Sequence, residues 1–416
     1  MISANSAATL GGVRAVALAE KFGTPLLVID TDAVDAAVAQ FETLAERYGL
    51  EVAYAGKAFL NVAFAKRLAN TRLSLDVCSL GELVTAERAG IPAPRIVFHG
   101  CGKTGEELSA VVDGRAARIV VDNREELERL AARANPAKPV SIILRINPGI
   151  EAHTHAYVRT GGEESKFGFP LGEVEAAVVF SLAQAGLVLN GIHAHIGSNI
   201  FEAAPYEAAA VVALGIYARA LELGAPLASL ICGGGFGVDP YPGGERVALD
   251  ELIAGLVRTV AHEALRLEIP APKIGIEPGR ALIAGAGTSL YRVVSVKRQG
   301  ARRFAIVDGG LADNPRPALY GSYHHPVATG RDFAAAMVET TVCGRSCEND
   351  ELMVAPLPED LRAGDLLGVR TTGAYTFSMA SNYNRFAKPA VVFAGGGLAA
   401  LAVRRQTVDD VLASDV

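Results

Sequence analysis

Lys57 stands in the apolar run Val52-Ala53-Tyr54-Ala55-Gly56-Lys57-Ala58-Phe59, which reads as a short strand. An ammonium in such a setting either reaches out to water or has its pKa lowered. A lowered pKa frees the amine to attack a carbonyl and form a Schiff base. The plainer alternative is a solvated lysine at a strand end. Cys232-Gly233-Gly234-Gly235-Phe236-Gly237 is either a flexible turn or a loop whose bare N–H groups can approach an anion. His193 and His195 alternate within Gly191-Ile192-His193-Ala194-His195-Ile196-Gly197-Ser198, which puts both rings on one face of a strand. They read as hydrogen-bonded core histidines in preference to a metal site; the alternative is that one ring stacks on a flat cofactor. Glu277 opens Glu277-Pro278-Gly279-Arg280 and either pairs internally with Arg280 or holds a proton on a heterocyclic nitrogen.

The elements that must position these residues follow a regular pattern. Strand candidates end within residues 54–57, 75–78, 97–100, 120–123, 144–147, 192–195, 231–234 and 275–278, with helical segments such as 125–133 and 252–267 between them. Eight repeats of strand then helix predict a parallel (β/α)8 TIM-type barrel. An open doubly wound sheet would carry its glycine loop after the first strand, and here it follows the seventh. Barrel function gathers at the carboxyl ends of the strands. Lys57, Asp76, Cys78, His99, Asn147, His193, His195 and Glu277 all fall there, which predicts a lined pocket. After Gly285 the pattern turns to short strand-like runs (293–296, 304–307, 337–342, 366–370 and 390–393) with no regular helices between them. This predicts a C-terminal, mainly antiparallel β domain. The extended stretch 25–30 precedes the first barrel helix and is expected to pair with it. The expected domains are a barrel over 30–284 and a β domain over 1–29 and 285–416. A Schiff-base lysine, an anion loop, a stacking ring and a carboxylate together match what pyridoxal phosphate requires.

Composition narrows the class. The chain has 416 residues, half of them hydrophobic, enough for a barrel and a smaller partner domain. A net charge of -6 without long charged blocks argues against nucleic acid and anionic membrane surfaces. There is no apolar run long enough for a membrane span, and the polar N-terminus is unlike a signal peptide. Cys78, Cys101, Cys232, Cys343 and Cys347 are scattered and odd in number, which suits a reducing cytoplasm. Cys343 and Cys347 lack the further ligands of a zinc site.

Ordered motifs across nearly the whole chain resemble the diaminopimelate decarboxylases, of the alanine-racemase-like, fold-type III group of pyridoxal-phosphate enzymes. They are Tyr54-Ala55-Gly56-Lys57-Ala58, Arg145-Ile146-Asn147-Pro148-Gly149, Thr154-His155, Ser165-Lys166-Phe167-Gly168, His195-Ile196-Gly197-Ser198, the triple glycine and Glu277-Pro278-Gly279-Arg280. Asn314-Pro315-Arg316-Pro317-Ala318-Leu319-Tyr320, Cys347-Glu348, Gly373-Ala374-Tyr375 and Ser381-Asn382-Tyr383-Asn384 complete the set.

The resemblance implies a role for each matching residue. Lys57 would carry the cofactor as a Schiff base and His195 would stack on its ring. Glu277 would face the ring nitrogen. Ser198, Gly234, Gly235, Gly279, Arg280 and Tyr375 would surround the phosphate, with Asp76 also in the cofactor site. Arg280, Arg316, Tyr320, Glu348 and Tyr375 would hold the substrate, meso-diaminopimelate, and Cys347 would return a proton. A homodimer with shared active sites is implied too. The chain departs from the family at Phe59, where Asn is common, at Gly344-Arg345-Ser346, in Cys347-Glu348-Asn349-Asp350-Glu351, and in the looser 385–389 run. Rival readings are decarboxylation of another basic amino acid or carboxylated polyamine, a racemase, and a non-catalytic cofactor-binding homologue.

Overall fold

The computed structural model describes residues 8–150, 165–241, 247–333 and 336–416. The Thr154-His155 motif lies outside them. The chain forms two compact units. One comprises Val38–Val238 and Arg246–Ala281; the other comprises Met1–Ala37, Asp239–Glu245 and Leu282–Val416.

Strand β1 (Leu26–Asp30) leads into the helix Thr31–Tyr48. Eight strands then form the barrel: β2 (Glu51–Ala55), β3 (Ser74–Val77), β4 (Ile96–Phe98), β5 (Arg118–Val121), β6 (Val140–Asn147), β7 (Leu187–Ala194), β8 (Ser229–Ile231) and β9 (Lys273–Ile276). Each pairs in parallel with the next, and β9 pairs back onto β2, so the sheet closes. This is the predicted eight-stranded barrel, with all eight strands where the apolar runs put them. Alternate side chains point inward. Val97, Val120, Ile143 and Ile231, from β4, β5, β6 and β8, pack into one buried cluster. Burying such a side chain contributes about 1.5–3 kcal/mol.

The barrel helices start close behind the strands because a capping residue waits there. Ser79, Thr104 and Asn123 accept hydrogen bonds from the N–H groups of Glu82, Glu107 and Glu126. Each such cap is worth about 1 kcal/mol and fixes the loop that joins strand to helix.

Lys57 departs from its expected place. The strand stops at Ala55, and Lys57 sits in a 3-10 turn (Gly56–Ala58) just beyond it. Its side chain is exposed while Gly56 and Ala58 are buried. The lysine is therefore aimed out of the strand's end, and the chain need not bury an unpaired ammonium.

The other unit is built on β10 (Gly287–Gln299), β11 (Arg302–Val307), β12 (Pro326–Thr329), β13 (Met337–Cys343), β14 (Glu351–Pro358), β15 (Leu366–Arg370), β16 (Ala390–Gly395) and β17 (Leu398–Val403). The sheet order is β14-β13-β11-β10-β1-β16-β17, and β15 joins β10 to β12. Pairing is mainly antiparallel, with β11–β13 and β1–β16 parallel. The stretch expected over 25–30 is thus β1, pairing with β10 and β16. Its side chains Leu26 and Val28 pack with Leu18, Leu290 and Val392.

Three strands of this sheet escaped the sequence pattern. β14 holds Pro356 and Pro358, which weaken a strand reading; as an edge strand it tolerates both. β17 is an alanine-rich edge strand, and β12 begins on Pro326. Two short helices, Arg316–Tyr320 and Val408–Leu412, also interrupt a region expected to lack them. Among the described residues no helix is long and apolar enough to cross a membrane.

One buried ion pair latches the barrel's carboxyl end. The Lys103 ammonium donates to Glu126 Oε1 at 2.7 Å, to Val120 O at 2.7 Å and to Gly100 O at 2.6 Å. Both side chains are buried. Burial pulls Lys103 down and pushes Glu126 up, and their pairing opposes both shifts. Three acceptors on three N–H groups satisfy the charged form. The latch ties the loop after β4 to the end of β5 and to the helix Arg124–Ala131. Glu126→Ala leaves the ammonium buried without its carboxylate, and is expected to lower unfolding free energy by about 3–5 kcal/mol. Urea denaturation measures this, and a loss below about 1 kcal/mol would show that the latch is not structural.

Candidate active site

A cavity of about 500 Å³ opens at the carboxyl ends of the barrel strands, and its lining includes Lys57, Asp76, His99, His193, His195 and Glu277. That volume suits a small-molecule site. The turn that carries Lys57 is braced from below. The Ala55 N–H donates to Pro278 O at 3.0 Å, and the Tyr54 hydroxyl donates to Phe59 O at 2.9 Å. Phe59 is fully buried and meets Phe64 edge-on at 5.3 Å. The departure at position 59 is therefore a packing change beneath the turn.

Glu277 follows β9 and is buried. Its Oε1 lies 3.1 Å from His99 Nε2, and its Oε2 lies 3.0 Å from His193 Nε2. Asp76 Oδ1 is 3.7 Å from the same His99 nitrogen. The His99 and His193 rings meet edge to face at 5.2 Å. Burial alone would raise the Glu277 pKa, but the two facing imidazoles outweigh it and hold the carboxyl well below its usual range. For His99, burial works downward, and the Asp76 and Glu277 carboxylates more than offset it, raising the imidazole. Burial pushes Asp76 up, with His99 opposing and Glu277 adding to the shift. Burial lowers His193 to about 4, so its ring is neutral. An ionised carboxylate only accepts, so His193 Nε2 carries the proton it shares with Glu277. His193 Nδ1 then has no hydrogen-bond partner among the described residues.

The alternating histidines thus divide their tasks. His193 holds Glu277, as a hydrogen-bonded core histidine would. His195 lies one residue past β7 and turns its Nδ1 to accept from the Gly234 N–H at 3.2 Å. Burial first, then Lys57 and Arg145, keeps His195 well below the ordinary imidazole pKa and therefore neutral. Donor atoms of His99, His193 and Glu277 lie within 4.8 Å of one another. Two of these atoms, His193 Nε2 and Glu277 Oε2, bond to each other, and no metal is assigned.

The glycine loop is stitched to the segment after His195. Ile200 N–H donates to Gly235 O at 2.9 Å, and Gly237 N–H donates to Ile200 O at 2.8 Å. Gly235 has φ +94°, and a Cβ there would strike the Gly197 carbonyl. Only glycine lets these backbones approach. Ser198 borders the same loop, and Arg280 Nη2 donates to its hydroxyl at 3.4 Å. Gly279 abuts Ala55 and Ala58, where a Cβ would fall 3.1–3.2 Å from their side chains. The barrel unit thus brings together Lys57, Asp76, His195 and Glu277 around the cavity, with Ser198, Gly234, Gly235, Gly279 and Arg280 in the adjoining loops. An amine, a neutral ring, an anion held by imidazoles and a tight glycine turn fit pyridoxal phosphate.

The remaining expected site residues belong to the β unit. Arg316 is buried, with its guanidinium over the rings of Tyr320 at 4.8 Å and Tyr375 at 5.3 Å. Tyr375 takes φ +59°, a conformation side chains rarely adopt. Cys347 and Glu348 are exposed on a turn. Asp350 closes that turn by accepting from Ser346 N–H at 3.0 Å and Leu311 N–H at 2.7 Å. The Cys347 N–H donates to Asn384 Oδ1 at 3.1 Å, and the Tyr383 hydroxyl donates to Glu348. Tyr383 and Asn384 entered the sequence analysis only as parts of a motif, without a task. The Lys103–Glu126 latch was missed, because two charges 23 residues apart carry no pairing signal.

Comparison with known proteins agrees with this geometry. Residues 33–284 match the family described as pyridoxal-dependent decarboxylase, pyridoxal binding domain. The chain is 43% identical to a diaminopimelate decarboxylase of Actinosynnema pretiosum subsp. auranticum, over 98% of this chain and 92% of that one. It is 41% identical to the Bacillus subtilis diaminopimelate decarboxylase, over 98% and 94%. Its fold is similar to that of the Helicobacter pylori diaminopimelate decarboxylase crystallised with L-lysine, with TM-score 0.88, 29% identity, and coverage of 96% and 98%. The chain belongs to the diaminopimelate decarboxylase family of pyridoxal-dependent decarboxylases.

Proposed function

We propose that this chain removes one carboxylate of meso-diaminopimelate to give L-lysine and carbon dioxide, the last step of lysine biosynthesis. The observation that carries the reading is an ionised Glu277 facing the same cavity as Lys57. Pyridoxal phosphate, when bound, supplies a cationic aromatic ring that accepts the electrons of the breaking carbon–carbon bond. Lys57 anchors it through its amine. Glu277 would hold a proton on the ring nitrogen, and the neutral His195 ring would help to hold the cofactor. Ser198, Gly234, Gly235, Gly279, Arg280 and Tyr375 would hold the phosphate, with Asp76 also in the cofactor site.

The substrate carries a carboxylate and an amine at each end. Arg316, with Tyr320 and Tyr375 beside it and Arg280 assisting, holds the far carboxylate. A guanidinium gripped between rings is already oriented for this. Glu348 takes the far ammonium, and Cys347 Sγ delivers a proton to the carbon that lost the carboxylate. In this reading residues 30–284 hold the cofactor, and residues 1–29 with 285–416 form a domain that completes the site. The enzyme acts as a homodimer with shared sites, in the cytoplasm, a compartment supported by five free thiols.

A panel of meso-diaminopimelate, lysine, ornithine, arginine and carboxylated polyamines tests the reaction, with carbon dioxide and lysine as readouts. Meso-diaminopimelate should be fastest, and a faster competitor would overturn the substrate assignment. Lys57→Ala should fold, lose the visible cofactor absorption and lose turnover.

Arg316→Ala should raise KM for meso-diaminopimelate roughly 10- to 150-fold, the equivalent of about 1.5–3 kcal/mol for a charge-assisted contact. Cofactor affinity should barely change. Unaltered steady-state kinetics would mean that another group holds the far carboxylate.

Mixing Lys57→Ala with Cys347→Ala under subunit exchange tests the shared site. A mixed dimer places both lesions in one pocket and leaves the other whole, so about a quarter of wild-type activity should return. No recovery after confirmed exchange would assign Cys347 to its own chain's pocket.

A further inference from the structure

We propose that His99 is a positioning residue for the cofactor's ring nitrogen: its Nε2 stands against Glu277 Oε1 at 3.1 Å while His193 Nε2 bonds Oε2, and together the two rings aim the carboxylate into the cavity. The inference rests on the reading that this cavity takes pyridoxal phosphate. No motif carried His99 into the expected site; in the sequence it was one polar residue at a strand end.

The geometry gives His99 a defined station. It follows β4, and its backbone N–H donates to Val77 O at 2.7 Å, which ties it to β3. Its Nε2 stands 3.1 Å from Glu277 and 3.7 Å from Asp76, so one nitrogen faces two carboxylates. Two buried carboxylates that also face each other's field drive one another toward the protonated state. A protonated Glu277 could not hold a proton on a pyridine nitrogen.

His193 alone does not prevent this. Its ring is neutral, and it offers one hydrogen bond to Oε2. Of the other groups acting on Glu277 and Asp76, Lys57 acts on Asp76 and is the amine reserved for the cofactor. Lys103 is committed to Glu126 and two carbonyls. Arg145 lies 3.6 Å from Asp122 and over the Phe167 ring. His99 is left as the group whose nitrogen stands directly against Oε1 and also faces Asp76. Removing it would free Glu277 to rotate or to take a proton, and the ring nitrogen would lose its partner.

The test compares His99→Phe, which keeps a ring but no donor, with His99→Gln, whose amide reaches the place of Nε2. Each purified apoenzyme is titrated with pyridoxal phosphate, following the visible band of bound cofactor, its dissociation constant, kcat and KM. For His99→Phe the band should shift, and cofactor affinity and kcat should each fall roughly 10-fold or more, the scale of one lost contact to a buried charged group. KM for substrate should stay near wild type. His99→Gln should restore the band and most of the affinity.

A folded Phe variant with an unchanged band and affinity overturns the proposal. So does a Gln variant as impaired as Phe, because His99 would then serve only packing. If His99→Phe does not fold, His99→Asn replaces it, since its shorter amide stops short of Glu277. A wild-type protein that shows no visible band with pyridoxal phosphate would overturn the cofactor reading itself, and this inference with it. A wild type that binds the cofactor but decarboxylates a different amino acid would overturn only the substrate, leaving the role of His99 to be decided by the variants.

Discussion

A carboxylate is buried at the mouth of this barrel, and the site depends on its staying ionised. Glu277 is nearly inaccessible to solvent, and burial alone would protonate it. Two imidazoles, one on each oxygen, reverse that tendency. They come from the ends of β4 and β7, while the carboxylate follows β9. No local stretch of chain could assemble this group. Closure of the sheet brings the three ends together, so the barrel is a condition of the chemistry.

The same face is stiffened by short-range means. Capping side chains begin the helices that follow β3, β4 and β5, which fixes the ends of the loops beyond Asp76 and His99. The Lys103–Glu126 pair fastens one loop to the next strand and helix. Below Lys57, buried Phe59 and Phe64 support a turn that points an amine outward. Binding geometry of a few tenths of an ångström requires such a rigid frame.

The β unit solves a different problem, that of presenting polar groups with little freedom to move. Arg316 is buried with two aromatic rings beside its guanidinium, which limits the freedom of its planar fork. Tyr375, Asp350, Asn384 and Arg385 all take positive φ, a costly choice for residues other than glycine. These strained positions lie in or beside the motifs that carry Tyr375, Cys347 and Tyr383. The strain is compensated by side-chain clips, such as Asp350 on Ser346 and Asn384 on Cys347.

Periodicity and motif order in the sequence were enough to determine the barrel and its eight strand ends, and to single out Lys57, His195, the triple glycine and Glu277 as candidates. Such features are local: apolar alternation marks a strand, and a glycine loop or a Glu-Pro-Gly-Arg run is contiguous. The edge strands with proline or alanine were not legible, because they depend on neighbours rather than on intrinsic preference. Tertiary structure alone decided that Lys57 leaves its strand, that Phe59 packs below it, and that Lys103 meets Glu126. It also decided what Glu277 faces. A carboxylate, two histidines and an aspartate separated by up to 201 positions (from Asp76 to Glu277) share no sequence signature. Their protonation states depend on burial and on one another, and both exist only once the sheet has closed.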